Sequence, residues 1–156
     1  MLILISFIAI LVLCFYQDVR FRGVHWALFP LILTGAIALN WENLNWETMA
    51  LNLGFLLVLL LGLTLYLSLK FGELVNITNG FFSIGDILFL IAMIPLFTFH
   101  WYILFFTIGT MLTLVFHVIA TAFKQQDSVP YAGYMALVGI AYASFSEQLQ
   151  QLNLPI

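Results

Sequence analysis

Apolar positions in this chain come in long unbroken stretches. Six of them run over 1–17, 24–40, 49–70, 84–99, 101–123 and 130–146, with short polar segments between. A helix of about 20 apolar residues matches a bilayer hydrocarbon core of about 30 Å. The pattern therefore predicts an all-α, polytopic membrane protein with six transmembrane helices. The fourth and sixth stretches are short for a full crossing, and either can begin inside the protein. Pro30 and Pro95 fall within stretches, where neighbouring helices can satisfy the backbone groups that proline frees. The first stretch has no basic region ahead of it and no small-residue cleavage site behind it, so it is expected to stay as a span. No internal repeat, linker or low-complexity segment divides the chain. A single transmembrane domain over 1–156 is the simplest organisation.

Composition agrees with the pattern. Of 156 residues, 64% are hydrophobic and 7% charged, against about 25% charged in an average soluble domain. Four Lys/Arg and seven Asp/Glu give a net charge of −3, too few charges to clothe a soluble surface of this size. A secreted module, a disordered tail and a nucleic-acid binder are excluded, the last because no basic patch exists. The single cysteine, Cys14, excludes a disulfide framework and a CxxC zinc site. The three histidines, His25, His100 and His117, show no metal-ligand spacing. Neither a metal nor a cofactor is expected. Phe-rich runs such as FTFHWYILFF suit lipid-facing or packing surface.

The positive charges orient the bundle. Arg20 and Arg22 lie between stretches one and two, Lys70 between three and four, and Lys124 between five and six. All fall on one side, which should be the cytoplasm. The opposite loop, WENLNWET (41–48), carries Glu42 and Glu47 and no base, and its Trp41 and Trp46 suit an interfacial belt. Both termini are expected outside, giving an N-out/C-out topology in a cytoplasmic or inner membrane.

Acidic groups near membrane depth are functional candidates because burying them is costly. Asp18 ends the first stretch and Asp86 opens the fourth, so the topology sets both at the cytoplasmic face. Two carboxyls a few ångströms apart do not readily both ionise. Such a pair can activate water as base and donate to a scissile carbonyl as acid. A structural alternative fits the same residues. Asp18 in YQDVRFRG can be a solvated loop charge paired with Arg20 or Arg22. Ser83-Ile84-Gly85-Asp86 also fits a helix-opening capping box. Periodicity does not separate the two.

Local sequence favours the first. FSIGDILFL (82–90) resembles the GxGD signature of membrane aspartyl peptidases. YQDVRFRGVHW (16–26) resembles the segment around the first catalytic aspartate of the type IV prepilin and preflagellin peptidase family. VPYAGYMALVG (129–139) is similar to the family pattern opening the last helix. The three segments occur in the family's order and cover about a fifth of the chain. There are departures. Ser83 stands for the first glycine of GxGD, and Leu88 for a usual lysine, which removes a positive charge. Val24-His25-Trp26 replaces Ile-Pro-Asn, and Gly133 the second proline of the last pattern. These mark a divergent member.

The resemblance implies a membrane aspartic endopeptidase with Asp18 and Asp86 as catalytic residues. Ser83, Gly85, Arg22 and Pro130 would support the site or the substrate. It further implies that the partners are pilin-like precursors with basic leader peptides, cut at the cytoplasmic edge of a bacterial or archaeal membrane. Larger relatives carry a cytoplasmic CxxC insertion that accompanies N-methylation. With Cys14 alone and no loop able to house it, this chain should be peptidase-only. Self-association into a homo-oligomer is left open. Two rivals remain: a presenilin-like intramembrane protease, and an inactive scaffold, channel or carrier. Among other positions, His100 is expected at the outer interface. His117 lies in the cytoplasmic half of its span, and His25 suits a local hydrogen-bonding role. The Asn76-Ile77-Thr78 sequon is expected on the cytoplasmic side and is discounted. The loop FGELVNITNGFF (71–82) is expected as a mobile element beside Asp86.

Overall fold

A computed structural model of the chain describes residues 1–72, 74, 83–123 and 129–151. Nearly all of the 71–82 loop, the sequon and Lys124 lie outside the described residues. Among the described residues there is no strand, and six α-helices follow one another: α1 (Leu2–Phe21), α2 (Leu28–Leu39), α3 (Trp46–Phe71), α4 (Ile84–Met93), α5 (Phe99–Phe123) and α6 (Tyr131–Gln151). Short 3-10 turns occupy Trp41–Asn43 and Ile94–Leu96. Among the described residues, three helical segments are long and apolar enough to cross a membrane: α1, α3, and α5 over Phe99–Ile119. The other apolar segments, Leu28–Leu39, Ile84–Leu96 and Tyr131–Phe145, are shorter.

Helix ends depart from the edges of the apolar stretches for local reasons. The first helix does not stop at position 17 but continues to Phe21, because Gln17, Asp18 and Arg20 can extend a helix already nucleated. Arg22 ends it in the left-handed conformation (φ 57°), its N–H donating to the Asp18 carbonyl at 3.0 Å. The second helix starts at Leu28 rather than 24. Ahead of it, Gln17 Oε1 accepts from the His25 N–H at 2.9 Å, and the His25 carbonyl accepts from Leu28 N–H at 2.9 Å. The chain is thus committed to a turn where the apolar count continues. α3 opens on Asn45, whose side chain accepts from Glu47 N–H at 2.8 Å, and closes on Gly72 at φ 72°, a backbone angle that glycine takes without a steric cost.

α6 is the shared wall of the bundle. It packs against α1, α4 and α5, while α2 joins α1 to α4. Close approach needs small residues: a Cβ at Gly139 would lie 2.7 Å from Met93 Cε, so glycine there lets α6 seat on the core. α3 stands apart, leaning on α5 and on the turn after α4. Only Asn52, Leu56 and Leu67 of its residues are buried, and Val58, Leu61, Leu65 and Leu69 are exposed. A long helix that is apolar all round and mostly uncovered needs lipid about it.

The 84–99 stretch is not one helix. Pro95 has no N–H to give the Ile91 carbonyl, and the Ile94 N–H takes that carbonyl instead. The Leu90 carbonyl is left over and accepts from the buried Tyr102 hydroxyl at 3.1 Å. Three further carbonyls of the turn are met by asparagine side chains. Asn40 Nδ2 donates to the Pro95 carbonyl at 2.9 Å. Buried Asn52 donates to those of Phe97 at 3.0 Å and Ile94 at 3.4 Å. Residues from α2, α3 and α5 therefore complete the end of α4, and the break fixes where Asp86, at its other end, lies.

Replacing Asn52 strands the buried Phe97 carbonyl and leaves that of Ile94 with the Phe97 N–H alone, which costs about 1–3 kcal/mol. Thermal unfolding in detergent should show Asn52→Leu as more destabilising than Asn40→Leu, whose site is only part-buried. The reverse order would contradict this account of the break.

Candidate active site

A carboxylate needs donors when it is buried, and Asp18 and Asp86 are each only 7% exposed. Asp86 occupies the third position of α4, where helix-end N–H groups and the dipole favour an anion. Its Oδ2 accepts from Ser83 N–H at 2.9 Å, and Ser83 Oγ accepts from Asp86 N–H at 3.1 Å. The capping box is formed. Asp86 does more than cap its own helix, because its Oδ1 accepts from Ala132 N–H on α6 at 3.0 Å.

Asp18 has the opposite local setting. It sits in the last turn of α1, where the helix's own dipole disfavours negative charge. The compensating donor comes from α6: Gly133 N–H reaches Asp18 Oδ2 at 2.6 Å. The alternative of a solvated loop charge is thereby corrected, since Asp18 is buried within a helix. Arg20 spreads its guanidinium over the rings of Tyr16 and Phe21 at 5.9 and 5.8 Å. Arg22 is exposed, and its charge interacts with that of Asp18.

Both carboxyls therefore converge on one turn. The first amides of a helix have no partner within it, and those of α6 can be followed one by one. Pro130, buried at the helix entry, has none. Tyr131 N–H donates to the Val129 carbonyl at 2.9 Å, and Tyr134 N–H makes the first intrahelical bond, to Pro130, at 3.1 Å. The two amides between them, Ala132 and Gly133, hold Asp86 and Asp18. Consecutive backbone nitrogens lie under about 4 Å apart, so the two clamped oxygens are within about 10 Å of each other.

Gly133 is fitted to its place. A Cβ there would sit 3.0 Å from Asp18 Cβ, 3.2 Å from its Oδ2 and 3.4 Å from the Phe15 carbonyl. The residue noted as a departure from the family pattern thus supplies both the N–H and the space for Asp18. Ala132 gave no sequence signal, because a backbone donor has no side-chain signature. Gly85 is under less constraint, with a Cβ meeting only Phe29 and Ser83 at 3.5 Å. Leu88, at the lysine position of the family, is 40% exposed and leaves no buried gap.

Around the pair, Cys14 lies buried one turn before Asp18. Tyr131, buried beside Asp86, shares a hydrogen bond with Thr110 at 2.9 Å. His25 is local: its Nδ1 accepts from Ala27 N–H at 3.3 Å and its ring stacks on Trp26. His117 is half-buried in α5, and His100 is exposed in its first turn. Among the described residues no three His, Cys, Asp or Glu side chains come together as a metal site. Comparison with family models, with curated proteins and with solved structures gives no match.

Overpacking a tight site costs about 1–3 kcal/mol, so Gly133→Ala should lower thermal stability in detergent by that order. Gly85→Ala, with ordinary contacts and a helical backbone, should leave it unchanged or raise it. Equal losses from both would show that α6 does not approach Asp18 as described.

Proposed function

We propose that this chain is a membrane aspartic endopeptidase of the type IV prepilin and preflagellin peptidase kind. It would remove basic leader peptides from pilin-like precursors at the cytoplasmic face. One observation carries this: two buried carboxyls from separate helices, α1 and α4, are held by adjacent amides of a third. A structural cap needs one carboxylate, and bringing a second like charge to the same turn is costly unless the pair is used.

The chemistry needs neither metal nor covalent intermediate. Water held by the pair attacks the scissile carbonyl carbon while one carboxylate takes a proton from it. The other carboxyl, protonated at the start, gives its proton to the carbonyl oxygen. Collapse of the tetrahedral species breaks the C–N bond and returns both carboxyls to their first state. In this reading all six helices cross or line the membrane with both termini outside. The pair then faces the cytoplasm, where Arg20, Arg22, Lys70 and Lys124 lie. The site sits in the first turn of α6 and the last of α1, near helix ends. That suits a substrate cut at the membrane edge better than one cut at mid-bilayer, as a presenilin-like enzyme would require.

The test is co-expression with a pilin-like precursor carrying a basic leader ahead of an apolar segment. Acid–base groups contribute about 100-fold or more to such reactions, so Asp18→Asn and Asp86→Asn should each reduce leader removal by at least that order. Both variants should still be recovered in the membrane. Undiminished processing by either variant would sink the proposal.

A further inference from the structure

The two carboxyls are not equivalent in their hydrogen bonding. Asp86 has a backbone donor on each oxygen, Ser83 N–H on Oδ2 and Ala132 N–H on Oδ1. Asp18 has a donor on Oδ2 alone, from Gly133, and no donor among the described residues reaches its Oδ1. An ionised carboxylate only accepts, whereas a protonated one must give an oxygen over to O–H. A proton on either Asp86 oxygen therefore weakens a bond that oxygen already accepts. One of those bonds caps α4, and the other docks α6. A proton on Asp18 Oδ1 leaves Oδ2 free to go on accepting from Gly133 N–H.

We infer that the proton shared by the pair resides on Asp18 Oδ1, which makes Asp18 the acid toward substrate and Asp86 the anchored base. This division of labour rests on the peptidase reading of the same site. In the working cycle, Asp86 takes a proton from the attacking water through a lone pair its backbone bonds leave unused. Asp18 delivers the Oδ1 proton to the carbonyl oxygen. As the C–N bond breaks, the departing nitrogen takes the proton from Asp86, and a hydroxyl of the tetrahedral carbon returns one to Asp18. The products are a carboxylic acid and an amine, and the pair ends as it began.

The arrangement also explains why the turn that joins the carboxyls can be rigid without blocking chemistry. Gly133 fixes one Asp18 oxygen and thereby sets the rotation of the carboxyl about its Cβ. Asp86 is fixed at both ends. The reactive oxygen is the one position in the pair that no backbone group among the described residues claims.

An apolar carbodiimide tests this without any substrate. The reagent reacts with a protonated carboxyl in an apolar setting. The acid proton moves to a carbodiimide nitrogen, the carboxyl oxygen bonds to the central carbon, and rearrangement leaves an N-acylurea on the side chain. The wild-type protein in lipid nanodiscs is treated at neutral pH and digested, and the adduct is mapped by mass spectrometry. The peptide containing Asp18 should carry the adduct over that containing Asp86 by about tenfold or more, the discrimination of a single charge-assisted hydrogen bond. Labelling at Asp86, equal labelling of the two, or labelling of neither overturns the inference. The two claims fail separately. An adduct on Asp18 in a protein that cleaves nothing would leave the open oxygen standing and remove the peptidase. Cleavage by a protein labelled at Asp86 would do the reverse.

Discussion

The unpaired amides at the start of α6 are the constraint on which the rest depends. Where a helix start is buried, each such N–H must find an acceptor. Most helices meet this with a cap from their own sequence, as α4 does with Ser83 and Asp86. The chain enters α6 through Val129-Pro130-Tyr131-Ala132-Gly133, which offers no capping side chain. Its acceptors come from elsewhere: one carboxylate from the end of α1 and one from the start of α4. Two helices far apart in sequence are tied to the same turn, and two carboxyls are held together by a stretch of backbone. The packing serves this joint. α6 contacts α1, α4 and α5, and glycines at 133 and 139 let it approach Asp18 and Met93 closely.

The opposite end of α4 solves the complementary problem. Pro95 leaves carbonyls without donors, and Tyr102, Asn40 and Asn52 supply them. Donors are imported at one end of α4, and an acceptor is exported at the other. A ten-residue helix too short to hold itself in place is thereby fixed along its length. Asp86 gains a position set by tertiary bonds.

Much of this was legible in the sequence. Long apolar runs gave the helices, and the scarcity of charge left Asp18 and Asp86 as the acids near helix ends with chemistry to offer. The Ser83–Asp86 spacing gave the capping box. Less accessible were features made of backbone. Nothing in the letters Ala132 and Gly133 says that their amides bind carboxylates, and Gly133 stood out only as a substitution in a resembling pattern. The apolar run over 84–99 concealed a break, because Pro95 can sit within a span and its consequence depends on partners remote in sequence. The apolar count stops at 17, which left Asp18 open to the reading of a loop charge, although helix propagation does not need apolar residues. The capping-box and carboxyl-pair readings competed in the sequence. In the fold they are compatible, because Asp86 has two oxygens and uses one for each.

The central claim is that adjacent amides of α6 each hold one carboxyl. Amide resonances of Ala132 and Gly133, observed by nitrogen-15 NMR of the selectively labelled protein in nanodiscs, report on it directly. Asp18→Asn should move the Gly133 amide proton most, and Asp86→Asn that of Ala132, the latter away from the downfield position of a charge-assisted bond. If neither substitution moves its assigned amide, the two carboxyls do not meet at α6 and the site described here does not exist.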